Sequence, residues 1–199
     1  MASRVIRAAD LARVPWKNGG GTTAEVAVFP PGTDLDGFGW RISMADVASD
    51  GPFSVFPGID RTLIVAEGDG IELIVEGVPY RLEGSGAKLS FSGDDSTAGK
   101  LLSGPIRDLN VMTRRGHFQH RTRILESGVA LLSEGLAAAF IVALGGSLDV
   151  QTDGIVHALA PLDTLSIEPT SDLIPLSGAG RAVLIEIEPT AAEEDDSQA

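Results

Sequence analysis

Glu25, Arg41, Ser43, Arg61, Asp108, Asn110 and Arg114 are the residues in this chain whose chemistry suits recognition of a small acid. A guanidinium is a planar fork that can hold a carboxylate through two parallel hydrogen bonds, and neighbouring carboxylates can orient such forks. Their spacing is that of strands, in which alternate side chains share a face. From Thr22, "TTAEVAVF" places Thr23, Glu25, Ala27 and Phe29 on one side and Thr22, Ala24, Val26 and Val28 on the other. From Trp40, "WRISMA" groups Arg41 with Ser43, opposite Trp40, Ile42 and Met44. From Asp108, "DLNVMTRR" groups Asp108, Asn110 and Met112, opposite Leu109, Val111 and Thr113. A sheet with one wet face gives the same alternation. A nearly balanced set of arginines and carboxylates, however, can satisfy itself inside a barrel mouth and leave one fork free. The expectation is a site for a small anionic metabolite.

Other chemistry has little support. There is no cysteine, so disulfides, thiol nucleophiles and thiolate metal sites are excluded together. The three histidines, His117, His120 and His157, form neither His-x-His nor His-Glu-x-x-His, and no metal or other cofactor is expected. Gly-x-Ser-x-Gly is absent. Glu25 and Asp108 are the carboxylates that apolar surroundings could tune into a general base. The stretch "WKNGGGTTAEV" holds Trp16, Asn18, Gly19, Gly20 and Gly21. It touches the dinucleotide fingerprint, but a β-branched strand follows where a helix is required, and its lysine precedes the glycines. Two readings remain: a loop at a barrel mouth that lets a ligand approach the backbone, or a turn packed beneath Trp16 or Trp40.

The elements that must position these residues are β-strands. The chain has 199 residues, 43% of them apolar, with 24 glycines and 11 prolines spread along it, which argues many short strands joined by turns. Overlaid on itself at an offset of 77 residues, it places "IVAEGDGIELIVEGVPYRL" (64–82) on "IVALGGSLDVQTDGIVHAL" (141–159) without a gap. Gly68 falls on Gly145 and Gly77 on Gly154, so each copy reads as a β-meander. A duplicated antiparallel unit hides its edges by closing, which predicts two small β-barrels or jelly rolls in tandem. We expect units at 1–116 and 117–190, the segment 122–135 ("TRILESGVALLSEG") as a candidate join, and a disordered acidic tail at 191–199. The net charge of −13 argues against duplex nucleic acid and anionic membranes as partners. Without a signal peptide or an apolar run of spanning length, the expected location is cytoplasmic. Exposed barrel edges leave a homodimer open.

Three segments carry a family resemblance: "VPWKNGGGTTAEV", "WRISMADVASDGPFSVFPGIDRTL" and "GPIRDLNVMTRR". Together and in this order they resemble the signature segments of the HutD/Ves family. The resemblance implies an all-β bicupin of bacterial origin. For the histidine-utilisation branch it also implies a regulatory protein that binds a pathway intermediate such as N-formyl-glutamate, with no established enzymatic step. The Ves branch is linked to cold or stress responses. Metal-dependent cupins carry a histidine and glutamate pattern that this chain lacks. The ligand-binding set expected from faces and segments together is Trp16, Asn18, Gly19, Gly20, Gly21, Thr23, Glu25, Arg41, Ser43, Arg61, Asp108, Asn110 and Arg114. The alternatives are a metal-free isomerase or hydrolase with Glu25 as base, and a scaffold without a pocket.

Overall fold

The structure is a computed structural model that describes residues 3–17, 19–169 and 173–190; Asn18 and the acidic tail at 191–199 lie outside them. Alternating patterns and glycine turns produce an all-β chain with one 3-10 turn at Ala8–Asp10. The N-terminal barrel closes a six-stranded sheet over a four-stranded one. The larger sheet runs Arg13–Pro15, Gly21–Phe29, Trp40–Val47, Ile106–Arg114, Ile59–Glu67, Lys88–Ser92 in spatial order. The smaller runs Gly51–Pro52, Thr97–Leu101, Gly70–Val75, Val78–Glu83. In the C-terminal barrel the larger sheet has five strands: Arg4–Ile6, Thr164–Ile167, Ala138–Leu144, Arg181–Pro189 and Phe118–Leu125. Its four-stranded partner is Gly128–Ala130, Ile174–Gly178, Leu148–Thr152, Ile155–Leu159.

The internal echo is a structural repeat. Gly70–Val75 turns into Val78–Glu83 through Glu76 and Gly77 alone, at φ 48° and 80°. Leu148–Thr152 turns into Ile155–Leu159 through Asp153 and Gly154, at φ 51° and 75°. Two consecutive positive φ values are what a type I′ hairpin turn requires, because its twist matches that of the strands it joins.

The boundaries differ from expectation in two places. Arg4–Ile6 pairs with Thr164–Ile167, so the first strand of the chain belongs to the C-terminal barrel and the expected unit 1–116 is not contiguous. Asp163 clasps this arm: its carboxylate accepts from Arg7 Nη1 at 2.6 Å, from the Ala8 amide at 2.9 Å and from the Ala160 amide at 3.0 Å. The segment 122–135 is not the join either. Thr122 to Leu125 already pair with Ala182 to Ile185, and the crossing is the turn at 115–117.

The two larger sheets pack back to back. Trp40, Ile42, Met44, Ile64, Leu109 and Val111 from one meet Phe140, Val142, Leu144, Val183, Ile185 and Ile187 from the other in a single buried cluster. Each large sheet is therefore buried on both faces, one in this seam and one in its own barrel. Because the seam belongs to both barrels, Leu109→Ala should cost about 2–5 kcal/mol, as for a buried leucine. Denaturant unfolding should still show one transition. Loss of only the N-terminal barrel's signal would show that the barrels unfold separately.

Candidate functional site

Register sorts the polar residues of the six-stranded sheet onto one face. Glu25 pairs with Ser43, Ser43 with Asn110, and Asn110 with Leu63; Arg41 pairs with Met112, and Met112 with Arg61. Asp108 lies in the next row, between Ala45 and Val65. The seam takes the apolar face, so this polar set points into the lumen, where Leu63, Val65, Ile71, Leu73 and Val75 form the apolar remainder. One detail of the sequence reading is corrected. A β-bulge between Glu25 and Ala27 shifts the register, so Val28 lies beside Arg41 while Ala27 and Phe29 fall on the seam face. An extra residue in one strand reverses the alternation beyond it, and two-residue periodicity does not reveal it.

Arg61 is the centre of the cluster. It is 4% exposed, and its guanidinium carbon lies 5.0, 5.3 and 5.8 Å from the ring centres of Phe91, Phe56 and Phe53. Nη2 donates to Asn110 Oδ1 at 3.0 Å and Nη1 to the Ser54 carbonyl at 3.1 Å. Asn110 Nδ2 donates in turn to Asp108 Oδ1 at 2.6 Å. This chain leaves two buried atoms over: among the described residues, Arg61 Nε and Asp108 Oδ2 have no hydrogen-bond partner. Burial lowers the Arg61 pKa to about 10, with Asp108 opposing and Arg41 adding to the shift. Burial likewise pushes Asp108, which is fully buried, up to about 7, against the pull of Arg61 and the Ala45 amide. Arg41 lies on the same face, donating from Nε to Glu25 at 2.9 Å and from Nη1 to Ser43 Oγ at 3.3 Å.

The other expected residues have different places. Arg114 shares the lumen parity but sits at its end, donating to the carbonyls of Phe38 at 2.9 Å and Asp36 at 2.7 Å over the Phe38 ring. It fastens the loop before Trp40 and borders a cavity of about 390 Å³ with Phe56, Ser54 and Asp36. Trp16 donates from Nε1 to Thr23 Oγ1 at 2.7 Å and packs against the lumen cluster. A Cβ at Gly21 would lie 3.1 Å from the Trp16 ring and 2.2 Å from the Asp46 carbonyl, which explains the glycine. Gly19 is exposed at φ 74°, and the carbonyls of Gly20 and Gly21 accept from Ala48 and Trp16. The glycine loop thus closes a hairpin beneath Trp16, while Asn18 lies outside the described residues.

Phe53, Phe56 and Phe91 around Arg61, and His120, were not singled out from the sequence. His120, on Phe118–Leu125, crosses to the N-terminal sheet: Nε2 meets Thr62 Oγ1 and Nδ1 meets Thr113 Oγ1, both at 2.8 Å. With Asp60, Arg61, Ser90, Phe91 and Gln119 it borders a cavity of about 340 Å³, and Ser90 Oγ pairs with Thr62 Oγ1. Arg61 thus reaches this cavity, while neither it nor the cavity at Arg114 is lined by Arg41, Ser43, Asp108 or Asn110. The unpartnered buried atoms of Arg61 and Asp108 mark where the polar face lacks partners.

The equivalent face of the C-terminal barrel is mainly aliphatic: Ala139, Ile141, Ala143, Leu165, Ile167, Ala182 and Leu184 are buried in one cluster. The buried charge on that face is Glu186, which accepts from the Ser133 amide at 2.7 Å and lies 3.4 Å from Arg123 Nε. Among the described residues no group of three or more His, Asp or Glu is placed to hold a metal ion, and no helix is long and apolar enough to cross a membrane.

Two back-to-back barrels, one with a cluster of buried polar side chains on its lumen face and one with a mainly aliphatic face, make this protein a bicupin. The HutD family model matches residues 8–184, and the chain belongs to that family, which is linked to the histidine-utilisation locus. An uncharacterized 21.2 kDa protein of the hutC 3′ region in Pseudomonas putida is 37% identical over 185 residues, covering 92% of this chain and 96% of the relative. Protein Ves of Citrobacter koseri is 33% identical over 67% of this chain and 71% of its own. HutD from Pseudomonas fluorescens SBW25, solved in a formate condition, superposes with a TM-score of 0.81 at 33% identity, covering 96% of this chain and 100% of that one. For fold alone, YlbA of E. coli gives 0.68 at 10% identity over 94% of this chain and 90% of that one.

The His120 clasp predicts an acid-side instability. Burial lowers its pKa from 6.5 to about 4, with Lys88 adding to the shift and Asp60 opposing it. A depressed pKa means the unfolded chain binds the proton more readily. The stabilisation is therefore complete above about pH 6.5 and is lost as pH falls towards 4. Asp108, raised to about 7, contributes the opposite slope in the parent and in His120→Gln alike, so the readout is the difference. The melting temperature of the parent should fall relative to that of His120→Gln as pH drops from about 6.5 to 4. Identical slopes would place the loss elsewhere.

Proposed function

We propose that the N-terminal cup binds a small anionic metabolite of histidine utilisation, such as N-formyl-glutamate, and that occupancy regulates flux through the pathway. The observation that carries this reading is the unpartnered Nε of a buried arginine, Arg61, on the polar lumen face of the N-terminal barrel. A buried guanidinium needs anionic or hydrogen-bonding partners, and a carboxylate supplies them. Two carboxylates and a formamide suit this lumen: Arg61 and Arg41 for the acids, Asn110 and Ser43 for the amide. The family's link to the histidine-utilisation locus supports that class of ligand. Glu25 orients Arg41, while Trp16 and the glycine hairpin shape the wall. Should the cup turn its ligand over without metal, the base would be buried Asp108, since Glu25 is 43% exposed and already paired with Arg41. Recovery of N-formyl-glutamate unchanged after incubation supports a binding protein.

Lysine keeps the charge of an arginine but not its fork. Arg61→Lys and Arg41→Lys should each weaken N-formyl-glutamate about tenfold or more, since charged hydrogen bonds contribute about 1.5–3 kcal/mol. Calorimetry on folded variants measures this. Parent-like affinity in both would make the arginines structural.

A further inference from the structure

We propose that Asp108 contacts the bound anion and takes up a proton as it binds, so that the N-terminal cup holds an anion and a proton together. This rests on the reading of the lumen as an anion site and assigns a second kind of donor to it. Asp108 is completely buried, and its two oxygens differ: Oδ1 accepts from Asn110, whereas Oδ2 has no partner among the described residues. The Asn110 amide separates the carboxyl from Arg61, so the pair makes no direct salt bridge in the chain of contacts. An ionised Oδ2 would face an incoming carboxylate with like charge in a dry lumen. Protonated, the same oxygen becomes an O–H donor on the face that also holds the free Arg61 N–H, and the two are the kinds of donor a carboxylate accepts.

The surroundings contain little to counter this. On the lumen face the charged neighbours are Arg61 on Ile59–Glu67, Arg41 on Trp40–Val47 and Glu25 on Gly21–Phe29, and Arg41 is already engaged by Glu25. Asp46, on the alternate face of Trp40–Val47, adds negative charge. The opposing sheet offers Ile71, Leu73 and Val75, while Glu72 alternates away from them. Ile106, Asn110 and Met112 share its own strand face without charge, and Arg114 at the end of that face is held by the Phe38 and Asp36 carbonyls. The step is a transfer of one solvent proton to Oδ2, after which Oδ2–H donates to the ligand's carboxylate and no covalent bond to the ligand changes. Free Asp108 titrates at about 7, and a neighbouring anion raises that further. The protonated form being the one that binds, affinity is constant below about pH 7. It then weakens about tenfold per pH unit until the raised value in the complex is passed.

The test is calorimetric titration of N-formyl-L-glutamate from about pH 6 to about pH 8.5, in pairs of buffers that differ in ionisation enthalpy, on the full chain and on Asp108→Asn. Expected for the parent are that pH dependence and uptake approaching one proton per ligand at the alkaline end. Asn keeps the shape and supplies a permanent N–H, so the variant should bind with the parent's low-pH affinity throughout and take up no proton. If the parent's affinity is pH-independent with no proton uptake while Arg61→Lys still weakens binding, the anion site stands and the proton role is wrong. A variant that binds with the parent's proton linkage assigns the proton to another group and overturns the role of Asp108. No binding by the parent at any pH overturns the anion site and this inference with it. The parent's proton count needs no variant, so a poorly folding Asp108→Asn does not shelter the proposal.

Discussion

The seam between the two large sheets is the constraint on which the rest depends. A sheet with one wet face sends its polar side chains to water. Here the six-stranded sheet has given one face to the other barrel, with Ile42, Ile64, Leu109 and Val111 fully buried against Val142, Val183 and Ile185. Alternation then leaves a single destination for Arg41, Ser43, Arg61, Asp108 and Asn110, the lumen. The five-stranded sheet meets the same constraint with Ala139, Ile141 and Ala143 on its lumen face, and becomes a mainly aliphatic core with Glu186 as the buried charge on that face. The two barrels repeat one plan, and the side chains behind the seam set how polar each interior is.

Holding a guanidinium in such a place is costly, because removing a charge from water is repaid only by good partners. Three phenylalanine rings, an asparagine and one carbonyl surround Arg61, and the depression of its pKa by burial marks the solvation it has given up. An arginine needed for stability alone would be expected to use its whole fork. Arg114 in the same barrel differs: Nε and Nη2 hold two carbonyls of one loop, and none of its nitrogens is among the buried unpartnered atoms. The two arginines share a parity and a strand pairing, yet one is a fastener and the other is left with a free donor.

Much of this was legible before any coordinates. The alternation in "WRISMA" and "DLNVMTRR" assigned both faces correctly, and the 77-residue echo predicted the paired hairpins at Glu76-Gly77 and Asp153-Gly154. What escaped had physical reasons. The bulge after Glu25 breaks a parity argument at one residue and leaves no compositional trace. The exchange of Arg4–Ile6 into the far barrel is a tertiary choice, sealed by Asp163 more than 150 positions away. His120 entered the sequence reading only as a histidine outside any metal motif, since Thr62 and Thr113 become its neighbours only once the seam forms. The glycine run left two readings open, a ligand loop or a turn beneath a tryptophan, and alternation could not show Trp16 resting on Gly21.

The most direct test of a polar, ligand-holding lumen is nitrogen-detected NMR of the arginine side chains during titration with N-formyl-glutamate. The account predicts that the buried Arg61 Nε–H resonance moves and becomes protected from exchange as the ligand saturates. Arg114 and the methyls of Ile141, Leu165 and Leu184 in the aliphatic cup should stay where they are. A shift confined to the C-terminal barrel or to the seam around His120, with Arg61 unmoved, would contradict it.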